Sequence, residues 1–123
     1  MMVLVDTSVW IDFLQKGNSL LEDLLNQGEV STHPLVLGEL SIGNIQNRKK
    51  FLGLLGDLAQ VQECSHEEVL GFIETRKIHG KGIGYFDAHI LASSVLSDTP
   101  LWTLDKSLDK LAGALTSRWI ESR

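Results

Sequence analysis

The chain has 123 residues, 43% of them hydrophobic and 22% charged, with 11 Lys and Arg against 16 Asp and Glu for a formal charge of −5. That length suits a single domain over 1–123, and so apolar a chain of such modest charge is not disordered. No run approaches the ~18 consecutive apolar residues of a membrane span, a single cysteine forbids an internal disulfide and points to a reducing cytoplasm, and the acidic balance opposes any general affinity for nucleic acid or anionic membrane.

Along the chain, the apolar run 1–5 predicts a buried strand, broken by Asp6-Thr7-Ser8, with Ser8 as cap of a helix over 9–14. Ser19 and Glu22 have capping-box spacing, and Leu20, Leu21, Leu24 and Leu25 form one helical stripe that stops at Gly28. Residues 29–32 suit a strand, and Pro34 suits the first turn of a helix over 34–42. A basic start, Arg48-Lys49-Lys50, opens an apolar helix within 47–58, and a short strand is expected over 60–64. Ser65 and Glu68 form a second capping box before a helix through 78. The glycines at 80, 82 and 84 mark a loop, a hydrophobic helix follows over 86–96, and 101–104 is a strand after Pro100. A helix over 106–112 and a last strand over 115–120 complete an α/β chain. Strands separated by helices imply parallel pairing with helices covering both sheet faces, a three-layer α/β/α sandwich on a short, mainly parallel sheet.

Four acids stand apart from those on ordinary solvated helix faces. Asp6 and Asp105 each follow a predicted strand, at the sheet edge where open parallel sheets bind ligands. Glu39 lies within the apolar helix Leu35-Val36-Leu37-Gly38-Glu39-Leu40, and Asp87 lies in the first turn of another hydrophobic helix. Taken singly, Asp6 and Asp105 can be helix caps and Asp87 a complement to a helix dipole. A buried, ionised Glu39 would cost several kcal/mol without a partner. Together, four converging carboxylates repel one another unless a hard cation that prefers oxygen ligands, Mg²⁺ or Mn²⁺, joins them. The four His residues fall in no zinc-ligand spacing and Cys64 has no partner. No nucleophile elbow or phosphate-binding glycine pattern is present.

In its residues the chain resembles the PIN-domain family and, within it, the VapC toxins of bacterial toxin–antitoxin pairs. The resemblance rests on Val5-Asp6-Thr7-Ser8-Val9-Trp10-Ile11-Asp12, on His33-Pro34 through Gly38-Glu39-Leu40, on Gly82-Ile83-Gly84-Tyr85-Phe86-Asp87-Ala88-His89, and on Leu101-Trp102-Thr103-Leu104-Asp105, in that order. It carries the family's acidic quartet onto Asp6, Glu39, Asp87 and Asp105, and its small hydroxyl positions onto Thr7, Ser8 and Thr103. It implies a Mg²⁺- or Mn²⁺-dependent endoribonuclease using one or two ions to activate water, usually a homodimer, and neutralised by a VapB-like antitoxin. Candidate contacts to the RNA backbone are Arg48, Lys49, Lys50, Arg76, Lys77, Lys81, Lys106 and Lys110. Asp12 and Asp109 are nearby acids with a solvated or structural reading, Asp109 standing in should Asp105 be misassigned. The alternatives are a non-catalytic PIN-like module that binds RNA or protein, and a phosphoacceptor receiver domain, whose late-strand lysine is absent here. On the nuclease reading, most of the −5 is the charge of four acids waiting for a cation.

Overall fold

The computed structural model describes residues 1–121. The chain runs β1 (Val3–Val5), α1 (Thr7–Lys16), α2 (Ser19–Asn26), β2 (Val30–Thr32), α3 (Pro34–Ser41), α4 (Arg48–Gly56), β3 (Ala59–Gln60), α5 (His66–Arg76), α6 (Tyr85–Leu96), β4 (Leu101–Trp102) and α7 (Lys106–Ala114). The four strands are all parallel in the order β3-β2-β1-β4 and sit between helical layers. The chain moves outward from β1 through β2 to β3, then returns to place β4 on the other side of β1. The topological switch point therefore lies between the C-terminal ends of β1 and β4.

The central strand explains why this sheet forms. Val3, Leu4 and Val5 are all buried, as expected of a strand covered on both faces. They belong to one apolar cluster with Val9, Trp10, Leu21, Ile90, Leu91, Leu101 and Leu108. β3 is an exposed edge strand of two residues, shorter than the expected 60–64. Only Leu101 and Trp102 pair as β4, so Thr103 and Leu104 form a turn before Asp105 and do not continue the strand. The expected strand over 115–120 reduces to a single parallel bridge between Leu101 and Arg118.

Helix caps correct two further expectations. Asp6, not Ser8, caps α1, and Asn18 caps α2 through Leu21 N at 3.1 Å, leaving Ser19 as the first helical residue. The capping box of Ser65 and Glu68 forms as spaced. α3 is capped by His33, which is fully buried: its Nδ1 accepts from Leu35 N at 2.9 Å. That acceptor role fixes the proton on Nε2, which lies 3.1 Å from Ser93 Oγ on α6. A neutral His33 therefore ties the start of α3 to α6.

Burial lowers the His33 pKa below 6.5, aided by the His89 charge and opposed by Glu63. Its folded pKa is thus lower than its unfolded one, so its stabilising effect is complete above about pH 6.5 and is lost as pH falls through the lowered value. We expect His33→Asn, which keeps a capping acceptor but cannot titrate there, to flatten the fall of the urea midpoint between pH 7 and pH 5. An unchanged slope in the variant would show that another group carries the acid sensitivity.

Candidate active site

Asp6 is the best-determined acid of the sheet edge. Its backbone N–H donates to Trp102 O at 2.9 Å, so it sits on the last rung between β1 and β4. Its side chain is 5% exposed, and every hydrogen bond to it falls on Oδ2: from Ser8 Oγ at 2.7 Å, Thr103 Oγ1 at 2.8 Å and Ser8 N at 3.4 Å. Oδ1 accepts none among the described residues. Ser8 Oγ accepts from Leu104 N at 3.0 Å, and Thr103 Oγ1 accepts from Asp105 N at 3.1 Å. The two hydroxyls thus join the carboxylate of one strand end to the turn that follows the other.

That turn delivers Asp105, whose Oδ1 caps α7 by accepting from Leu108 N at 2.9 Å. Asp105 is exposed, and Asp87, in the first turn of α6, is half-buried. Glu39 is exposed, contrary to the burial expected from its apolar helix; α3 turns it, with Gly38, toward solvent while Val36 and Leu40 face the core. The desolvation argument for Glu39 therefore fails, although its neighbours make it electrostatically significant. Partial burial, with the negative charges of Asp6, Asp105 and Glu39, pushes the Asp87 carboxyl up from 3.8 to about 6, against a hydrogen bond from the Gly84 backbone. All four acids act on one spot.

Among the described residues, no three His, Cys, Asp or Glu side chains already stand close enough to share one ion. The donor set nonetheless suits a hard divalent cation. It consists of carboxylate oxygens, one of them the unbonded Oδ1 of buried Asp6, with those of half-buried Asp87 and of exposed Glu39 and Asp105 beside it.

The other residues singled out from the sequence divide sharply. Thr7 is buried with its Oγ1 unpartnered, and it lines a groove of about 530 Å³ with Glu39, Ile11, Leu14, Leu40 and Ile45. Arg48 is committed to the end of α3, where its Nε donates to Ser41 O at 2.8 Å. Lys49 and Lys50 are exposed at the start of α4, and Lys106 is exposed at the start of α7. Lys81 lies in a second groove with Arg76, Lys77 and Lys110. Asp12 pairs with Lys16 at 3.3 Å and Asp109 with Arg118 at 3.0 Å, so Asp109 has a structural partner of its own. No sequence pattern marked the ring cluster in which Tyr85 packs edge-on against His66 and His89 and its hydroxyl bonds to His66. Two of those rings are a turn apart on α6, but His66 comes from α5, and no local spacing reports that meeting.

A parallel α/β sheet with acids gathered at its switch point defines the class of fold, and comparison with known proteins gives the family. The PIN domain family matches residues 3–114. Ribonuclease VapC32 of Mycobacterium tuberculosis, in strains H37Rv and CDC 1551, is 43% identical over 108 residues, 87% of each chain. A solved structure, that of PAE2754 from Pyrobaculum aerophilum, superposes with a TM-score of 0.60 over 96% of this chain and 91% of that one at 16% identity, a likeness of fold. The chain belongs to the PIN-domain family, and within it to the VapC type.

With Asp87 titrating near 6 in place of 3.8, its stabilising effect is complete below about pH 3.8 and is lost as pH rises through about 6. Asp87→Asn should therefore raise the melting temperature of the metal-free protein by a few degrees at pH 7.5, a gain of order 1 kcal/mol or less, and this gain should vanish near pH 4. A fall in melting temperature at pH 7.5 would instead make Asp87 a structural residue.

Proposed function

We propose that this chain is a VapC-like endoribonuclease that hydrolyses RNA phosphodiester bonds with the help of Mg²⁺ or Mn²⁺. The observation that carries the reading is that Asp6, Asp105 and Glu39 all add their charge to the burial that raises the Asp87 carboxyl to about 6. The 43% identity to a VapC ribonuclease supports the choice of RNA as substrate. Asp6, Glu39 and Asp87 would hold the principal ion, and Asp105 would complete the site through water or a second ion.

A divalent ion bound there supplies Lewis acidity toward a phosphate oxygen and a more acidic water. The chain's own residues do the positioning. Ser8 and Thr103 occupy Oδ2 of Asp6 and so leave Oδ1 free for a ligand. Thr7 lines the groove beside Glu39, but its Oγ1 is closed to solvent, so a phosphate oxygen or water would reach it only after a local shift. Asp105 caps α7 through Oδ1, which leaves its second oxygen free of that cap. The carboxylates in turn keep the metal-free site repulsive, which couples RNA affinity to the presence of the cation.

The same reading makes residues 1–123 one working unit, in a homodimer neutralised by a VapB-type antitoxin. Among the described residues no helix is long and apolar enough to cross a membrane. A reducing cytoplasm suits the free, buried Cys64.

Asp6→Asn and Asp87→Asn should each abolish Mn²⁺ binding by calorimetry and lower RNA cleavage by more than the ~10–100-fold typical of losing a ligand's outer partner. Full cleavage by both variants would overturn the assignment, and metal-independent RNA binding without cleavage by the wild type would favour a non-catalytic module. Ser8→Ala and Thr103→Val, which each remove one hydroxyl from Asp6 Oδ2, should cost about 10–100-fold in activity while the folded circular-dichroism spectrum persists.

A further inference from the structure

The basic residues of this acidic protein are unevenly placed. Lys16 is paired with Asp12, Arg118 with Asp109, and Arg48 with the Ser41 carbonyl. Arg76, Lys77, Lys81 and Lys110, by contrast, line one groove of about 440 Å³ together with Ser107, and no acidic residue lines it. None of these four cations has an ion-pair partner among the described residues. Gathering four unpaired positive charges costs electrostatic energy unless something negative fills the groove.

The groove is held in shape. Its first wall is the end of α5 and the loop into α6: Lys77 takes the left-handed C-cap conformation at φ 54°, Arg76 lies 5.5 Å from the Phe72 ring, and Ile78 anchors the loop at 3% exposure. Its second wall is α7. The walls touch at Gly82, whose φ of 84° favours glycine and where any Cβ would stand 3.3 Å from Ser107 Oγ. Each wall then leads directly to the acid cluster. The loop ends at Gly84, whose backbone bonds to Asp87, and α7 begins at its cap, Asp105.

We propose that this groove is the track along which the RNA phosphate backbone extends from the acid cluster, with Arg76, Lys77, Lys81 and Lys110 contacting successive phosphates. The inference rests on the ribonuclease reading and adds an extended RNA site to it. A basic groove whose two walls run, through Gly84 and through the cap of α7, to two acids of the candidate centre suits a polyanion, since phosphate contacts position a nucleic acid without reading its bases. It also explains how a protein of net charge −5 attracts RNA: the attraction is local, and its range is the ~8–10 Å of ionic screening.

The test compares the wild type with the triple variant Lys77→Gln, Lys81→Gln, Lys110→Gln, and with Lys16→Gln as a charge control, on a long single-stranded RNA and on a trinucleotide too short to span cluster and groove. With Mn²⁺ present, the triple variant should raise KM for the long RNA at least about tenfold at 0.1 M salt, and should lower the magnitude of the slope of log K against log salt by about 2, or ~0.7 per lost contact. Trinucleotide cleavage and the Lys16→Gln variant should match the wild type. A long-RNA KM and salt slope that do not change in the triple variant would overturn the groove while leaving the ribonuclease reading intact. Absence of cleavage of either RNA by the wild type would overturn the ribonuclease reading itself; fluorescence anisotropy of uncleaved long RNA then tests the groove alone, which fails if the triple variant binds as the wild type does. Loss of poly-glutamate binding with RNA binding retained would make the groove a site for an acidic protein and overturn the proposal.

Discussion

The site depends on how Asp6 is held. One residue ends the central strand, caps the next helix and presents a buried carboxylate at the switch point of the sheet. These roles are compatible because the hydrogen bonds are divided unequally between its two oxygens. Oδ2 takes the hydroxyls of Ser8 and Thr103 and the cap to Ser8 N, while Oδ1 takes none among the described residues. Capping and ligation are often weighed as rival explanations of an aspartate after a strand. Here geometry allows one carboxylate to do the first with one oxygen and remain available for the second with the other.

Around Asp6 the fold gathers charge that it does not neutralise. Asp87 bears the consequence, its carboxyl held well above the usual range chiefly by burial and further by Asp6, Asp105 and Glu39. The other two acids, Glu39 and Asp105, are both exposed at this edge. On the opposite sign, four unpaired cations share the groove between the α5–α6 loop and α7. Net charge is therefore a poor guide to partners here, because the two signs are sorted onto adjoining surfaces and screening keeps each local.

Much of the fold was legible in local patterns. The buried run of β1, the capping box of Ser65 and Glu68, Pro34 at the start of α3 and the glycine loop before α6 all depend on neighbours in sequence. The misreadings were local as well. Ser8 and Ser19 are acceptable caps, but Asp6 and Asn18 one or two positions earlier compete for the same N–H groups and win. The last strand and the end of β4 were overextended because an apolar run does not reveal whether an adjacent strand is present to pair with it.

The sequence by itself determined the α/β order, the parallel sheet, membership of the PIN-domain family and the four acids that stand out from the rest. Those follow from residue type and spacing, which local propensity and burial translate directly into elements. Only the tertiary structure decided that Glu39 faces solvent, that Arg48 closes the end of α3, that Asp109 pairs with Arg118, and that Lys77, Lys81 and Lys110 share a groove. Each of these depends on where one helix meets another segment in space, and on which charges are thereby left without a partner. Such meetings are set by the packing of the whole chain, which no window of the sequence contains.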